Sequence, residues 1–148
     1  AKSGRPVDGA AVLIVFSVET GTLGGTVYSF ADAVETLTDA RGEFRFPPKR
    51  VYLVKGMSNW SDDHQISIFK PGYGAYPGHS RAFSSWEKKH ARVIPENEYI
   101  TYYLPKLKTL EEIKENHNKI EIPGSINNDK MPNLRRLIDE DSDMIFRG

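Results

Sequence analysis

The sequence predicts a mainly-β domain, an antiparallel β-sandwich followed by a short helical extension. Three observations carry this. Up to Leu104, glycine and proline separate short runs that are apolar throughout or that alternate apolar with polar residues, the pattern of strands joined by turns. The pair Glu35-Thr36-Leu37-Thr38 and Glu43-Phe44-Arg45-Phe46 alternates so that each strand has one buried and one wet face. Beyond Leu104 the apolar residues change to helical spacing.

The strands are expected at Ala10 to Ser17, Thr26 to Phe30, Val34 to Thr38, Glu43 to Phe46, Gln65 to Phe69 and Tyr99 to Leu104. Between the third and fourth, Asp39-Ala40-Arg41-Gly42 reads as a tight turn. An aspartate there can accept from backbone N–H groups two or three residues on, and the glycine can take positive φ. Thr20 to Gly25 and Pro47 to Asp63 read as loops, the second holding Trp60, Asp62 and Asp63. In the tail, Leu107, Leu110, Ile113, Lys114 and His117 recur at helical spacing. Thr109 can cap, and Glu112 completes a capping box, so a helix is predicted over Leu110 to Asn118. A second helical pattern starts at Pro132 and runs through Leu134, Leu137 and Ile138. Helices this short are expected to pack on the domain or on a partner. The expected division is residues 1–104 as the sandwich and 105–148 as the extension packed on it.

A chain of 148 residues fits one domain with one core. Lysine plus arginine number 20 and aspartate plus glutamate number 20, so no net field favours nucleic acid or an anionic surface. There is no cysteine, which excludes a disulfide framework, a thiolate nucleophile, a zinc-thiolate site and an iron-sulfur cluster. The longest purely apolar run, Ala10 to Phe16, suits a buried strand and is far short of the roughly 20 residues a spanning helix needs. Ala1 stands where an initiator methionine is expected, which reads as a processed or engineered end and agrees with a removed export signal or lipid anchor.

Three blocks, in order, carry a resemblance. They are Gly4-Arg5-Pro6-Val7-Asp8-Gly9-Ala10-Ala11-Val12, then Glu35 through Phe46, then Ile68-Phe69-Lys70-Pro71-Gly72-Tyr73. Together they resemble the carboxypeptidase regulatory-like domains. The resemblance implies a seven-stranded antiparallel Greek-key sandwich, transthyretin-like, over about residues 4 to 104. It also implies an exported or envelope setting, often behind a lipoprotein signal, and a binding, folding or assembly role without a catalytic site. The longer loops and the helical tail depart from the common pattern. Each block also has a local reason: Pro6 suits the entry of an edge strand, Gly9 a bend before the buried run, and Pro71-Gly72 the end of a strand.

The candidate ligand-binding residues are Tyr73, Tyr76, His79 and Trp86. In Gly72-Tyr73-Gly74-Ala75-Tyr76-Pro77-Gly78-His79 the glycines expose backbone and the tyrosines offer flat amphipathic surface, a platform for a sugar or peptide. The plainer alternative is that the tyrosines seal the end of the sandwich. Asp62, Asp63 and His64 lack the spacing of a calcium loop and read as solvated. Asp39 and Gly42 are accounted for by their turn. His64, His79, His90 and His117 show no pair spaced to hold one metal from a single element, and no serine lies in a glycine-x-serine-x-glycine elbow. Glu87-Lys88-Lys89-His90-Ala91-Arg92 reads as a solvated face. No catalytic residue, metal or cofactor is assigned. The expected function is therefore a non-catalytic binding or assembly module of the bacterial cell envelope, outside the cytoplasm. Its expected partner is an envelope protein, a peptide or a carbohydrate, and nucleic acid is not expected. The rival is a metal-dependent oxygenase or hydrolase on the same sandwich, which requires two histidines to converge with a tyrosine or an acid.

Overall fold

The computed structural model describes residues 4–45, 58–60, 65–85, 100–122 and 127–147. Among them, six strands and two α-helices follow one another. These are β1 (Ala11–Thr22), β2 (Gly25–Leu37), β3 (Ser58–Trp60), β4 (Gln65–Phe69), β5 (Phe83–Ser84), β6 (Tyr102–Tyr103), α1 (Leu110–His117) and α2 (Pro132–Arg147). A single 3₁₀ turn, Asn128–Lys130, precedes α2.

β1 is the middle of a four-stranded sheet. β2 pairs along one side of it, and β3 and β4 share the other, all antiparallel. Its apolar run is continuous because both faces are covered. Ala11, Leu13 and Val15 join Ala33 of β2 and Phe69 of β4 beneath Met131, Leu134 and Leu137 of the α2 region. The alternate residues, Ala10 and Val12, join Ile68, Tyr76 and Ala82 on the opposite face, where Phe44, Tyr102 and Leu104 close over them. Side chains of a strand alternate between faces, so two different covers meet one strand.

This corrects the expected seven-stranded Greek-key sandwich. The described chain is a mixed α/β arrangement, a four-stranded sheet with a helix on one face and the short β5–β6 ribbon with its loops on the other. Two of the expected strands, Thr26 to Phe30 and Val34 to Thr38, are one strand. The break in alternation at Ala31 is absorbed by a bulge: Phe16 faces Asp32 and Ser17 faces Phe30, leaving Ala31 as the extra residue. The expected loop Thr20 to Gly25 shrinks to Leu23-Gly24, because β1 continues to Thr22, which pairs with Gly25. Of Glu43 to Phe46, residues 43–45 form no strand and Phe46 lies outside the described residues. Within Tyr99 to Leu104 only Tyr102 and Tyr103 are paired, and Tyr99 lies outside the description. Within Pro47 to Asp63, Ser58–Trp60 form β3.

Other local expectations hold. Gln65 to Phe69 is β4. At Asp39, one carboxylate oxygen accepts from the N–H groups of Arg41 and Glu43, each at 2.9 Å, and Gly42 has a φ of +71°. These bonds, with that from Glu43 foremost, hold the Asp39 carboxyl below its ordinary value. Gly9, at φ +68°, turns the chain into β1. α1 opens with the expected capping box, Thr109 accepting from the Glu112 N–H and Glu112 reaching back to the Thr109 N–H.

The start of α2 has no acidic residue of its own in the first turn. Glu35 of β2 supplies one from across the fold. Its two carboxylate oxygens accept from the N–H groups of Asn133 and Leu134, at 2.9 and 2.7 Å. A helix N-terminus leaves such donors free and carries partial positive charge, so a carboxylate there both bonds and compensates.

Candidate functional site

Lys70 to His79 follows β4 as a tightly tied loop. Tyr73 N–H donates to the Lys70 carbonyl at 3.0 Å across Gly72, whose φ of +83° lets the chain reverse. Gly74 N–H donates to Pro105 O and Leu107 N–H to Gly72 O, each at 2.8 Å, so the segment entering α1 runs against the loop. Gly74 is required there: an added Cβ would lie 2.7 Å from both the His79 ring and Pro105. Gly78 sits closer still, since its Cβ would fall 1.9 Å from the Lys119 carbonyl oxygen just beyond α1.

Asn116, near the end of α1, holds the other side of the loop. It is 1 % exposed, its Oδ1 accepts from Ala75 N–H at 2.8 Å, and its Nδ2 donates to the Tyr73 carbonyl at 3.1 Å. A side-chain amide thus satisfies two backbone groups of the loop that no strand partner reaches.

Three of the four residues expected to bind a ligand fall on this loop, and their side chains do different things. Tyr73 is half-buried. Tyr76 is 8 % exposed, and its ring meets Tyr102 edge to face at 5.0 Å inside the core, so it seals the sheet as the plainer alternative held. His79 is half-buried, with its Nδ1 accepting from the Arg81 N–H at 3.1 Å. Burial, helped by the charges of Arg81 and Lys119, pushes its pKa down against the opposing pull of Glu112 and Glu115. Trp86 lies outside the described residues, as do Asp62, Asp63, His64 and His90. The surface the loop offers is therefore Tyr73, His79 and the exposed Pro77, Ser80 and Arg81.

Next to Asn116, the His117 side chain crosses to α2. Its Nδ1 lies 2.8 Å from Asp141 Oδ2, and its Nε2 lies 3.3 Å from Ser142 Oγ. Successive residues of a helix point about 100° apart, which lets one imidazole bridge both. Asp141 is 1 % exposed, its other oxygen has no partner among the described residues, and burial outweighs the histidine in raising its pKa. The His117 side chain keeps 24 % exposure. No motif announced this trio, because its members lie on separate helices. One signal was present: Asp141 falls in the apolar stripe Leu134, Leu137, Asp141, Ile145, all buried, where an acid is out of place.

Substituting Asp141 by asparagine tests the raised pKa. A folded carboxyl that keeps its proton at a pH where the unfolded one has lost it makes the folded state the tighter proton binder. That contribution is complete below about pH 4, the unfolded value, and is lost as pH rises through the raised folded value. Urea midpoints of the wild type, relative to Asp141→Asn, are expected to improve as pH falls toward 4. A difference that is flat with pH would show that burial does not govern this group.

Fold and geometry together define a mixed α/β domain with a pinned surface loop and a polar trio at its helix junction. No family model, no curated protein and no solved structure matches the chain. Among the described residues no three histidine, aspartate or glutamate side chains group to hold a metal ion, and no helix is long and apolar enough to cross a membrane.

Proposed function

We propose that this chain is a binding or assembly module of the cell envelope, acting outside the cytoplasm by surface recognition of a peptide, a carbohydrate or an envelope protein rather than by turnover. The observation that supports it is the set of hydrogen bonds that hold the loop carrying the Tyr73 to Arg81 surface. The loop beneath it is hydrogen-bonded to Pro105, Leu107 and Asn116, and Gly78 approaches the Lys119 backbone closely. A surface held in place before contact loses less conformational entropy on binding. The three sequence blocks that resemble carboxypeptidase regulatory-like domains support the envelope setting alone, since the sandwich they imply is not the fold. The metal-dependent oxygenase or hydrolase alternative requires two histidines to meet. His117 meets Asp141 instead, and two of the four histidines lie outside the described residues.

A thermal-shift screen against short peptides, oligosaccharides and divalent cations tests this. A ligand at a hundred times its dissociation constant adds about 2.7 kcal/mol, a rise of several degrees. The expected result is a peptide or oligosaccharide hit that disappears in a Tyr73→Ala, His79→Ala double variant. A hit insensitive to both substitutions would overturn the loop as the site. Recovery of the protein from the cytoplasmic fraction alone would overturn the envelope setting.

A further inference from the structure

We propose that Ser142 is an acyl-accepting serine, with His117 as its general base and Asp141 as the carboxylate that positions the base. The trio has the connectivity this chemistry needs. When ionised, the Asp141 carboxylate can only accept, so the 2.8 Å contact then calls for a proton on His117 Nδ1 and leaves the Nε2 lone pair facing Ser142 Oγ. A buried carboxylate with one oxygen unpartnered has little else to stabilise it than that imidazole. The 3.3 Å contact at Nε2 is long, as such contacts often are before a reactant arrives. Ser142 and His117 both retain solvent access, while Asp141 does not.

The same geometry sets the substrate class. Ser142 stands in the interior of α2, where the N–H groups around it are committed to the helix ladder, so no backbone donor beside it can hold an oxyanion. The acyl donor must bring its own activation, as a small aryl ester does. Ser142 Oγ forms the bond to the acyl carbon as the bond to the aryl oxygen breaks. The hydroxyl proton passes to His117 Nε2 and from there to the departing aryloxide or to solvent. With nothing to stabilise a second tetrahedral intermediate, the acyl group stays, and the reaction is stoichiometric. It does not depend on the binding role proposed above.

The test is incubation of the whole chain with p-nitrophenyl acetate at a pH of about 8, and separately with a fluorophosphonate, followed by peptide mapping. The expected result is a burst of about one equivalent of nitrophenolate and a label on Ser142. Ser142→Ala abolishes both, and His117→Ala slows labelling by about a hundredfold or more. His117→Asn, which keeps a polar side chain at the helix junction, serves if the alanine variant does not fold. Asp141→Asn slows labelling while leaving the label on Ser142. Labelling confined to lysines, no label at all, or a Ser142 rate unchanged in a folded His117 variant would each overturn the proposal.

Discussion

Leu134→Ala is expected to lower the free energy of unfolding by about 2 to 5 kcal/mol, a fall in Tm on the order of 10 °C. Leu134 is fully buried, in one cluster with Leu13, Val15 and Phe69 of the sheet and Met131 and Leu137 of the α2 region. Truncating it removes transfer free energy and leaves a hole beneath β1 that a sheet tied on both sides cannot close. Chemical denaturation followed by far-ultraviolet circular dichroism reads the effect as a single shifted transition. A loss below about 1 kcal/mol, or a separate early transition of the helices alone, would mean that α2 only leans on the sheet.

Glu35→Ala is expected to cost about 2 to 3 kcal/mol, since two charge-assisted hydrogen bonds to the Asn133 and Leu134 N–H groups are lost together. The loss should be local before it is global. Hydrogen exchange at those two amides accelerates ahead of the amides of β1, and Glu35→Gln, which keeps one good acceptor, recovers part of the protection. Unchanged exchange at both amides in the alanine variant would show that water replaces the carboxylate without cost.

What could be read from the sequence was whatever short spacing controls. The Asp39 turn and the capping box of α1 depend on contacts within five residues, β4 shows in the pattern of its own five residues, and each stands where the residues placed it. β2 reads from the sequence as two strands because a bulge residue, Ala31, interrupts alternation as a strand end does, and only the partner strand tells the two apart. The error in fold class came from β1. Its unbroken apolar run reports that both faces are covered, but apolar contact has no direction, so the run says nothing of whether a sheet or a helix provides the cover. The candidate site divided in the same way. The glycines announced a tight loop correctly. That Tyr76 turns inward, and that Asn116 and His117 reach the loop and α2, depends on residues more distant in sequence.

Placing β1 between one cover from the middle of the chain and another from the α2 region bears on how the molecule reaches its native state. Ala11 and Leu13 cannot be shielded from water on one side until Met131, Leu134 and Leu137 arrive, with most of the chain between them. The closing contact is thus among the most non-local available, and folding rates fall as such contacts dominate. During synthesis, the most apolar strand would emerge first and wait longest for its cover, an interval in which chaperone capture or pairing between nascent chains competes with folding. A chain shortened before α2 would not be a smaller version of this domain. It would be a sheet with one bare apolar face.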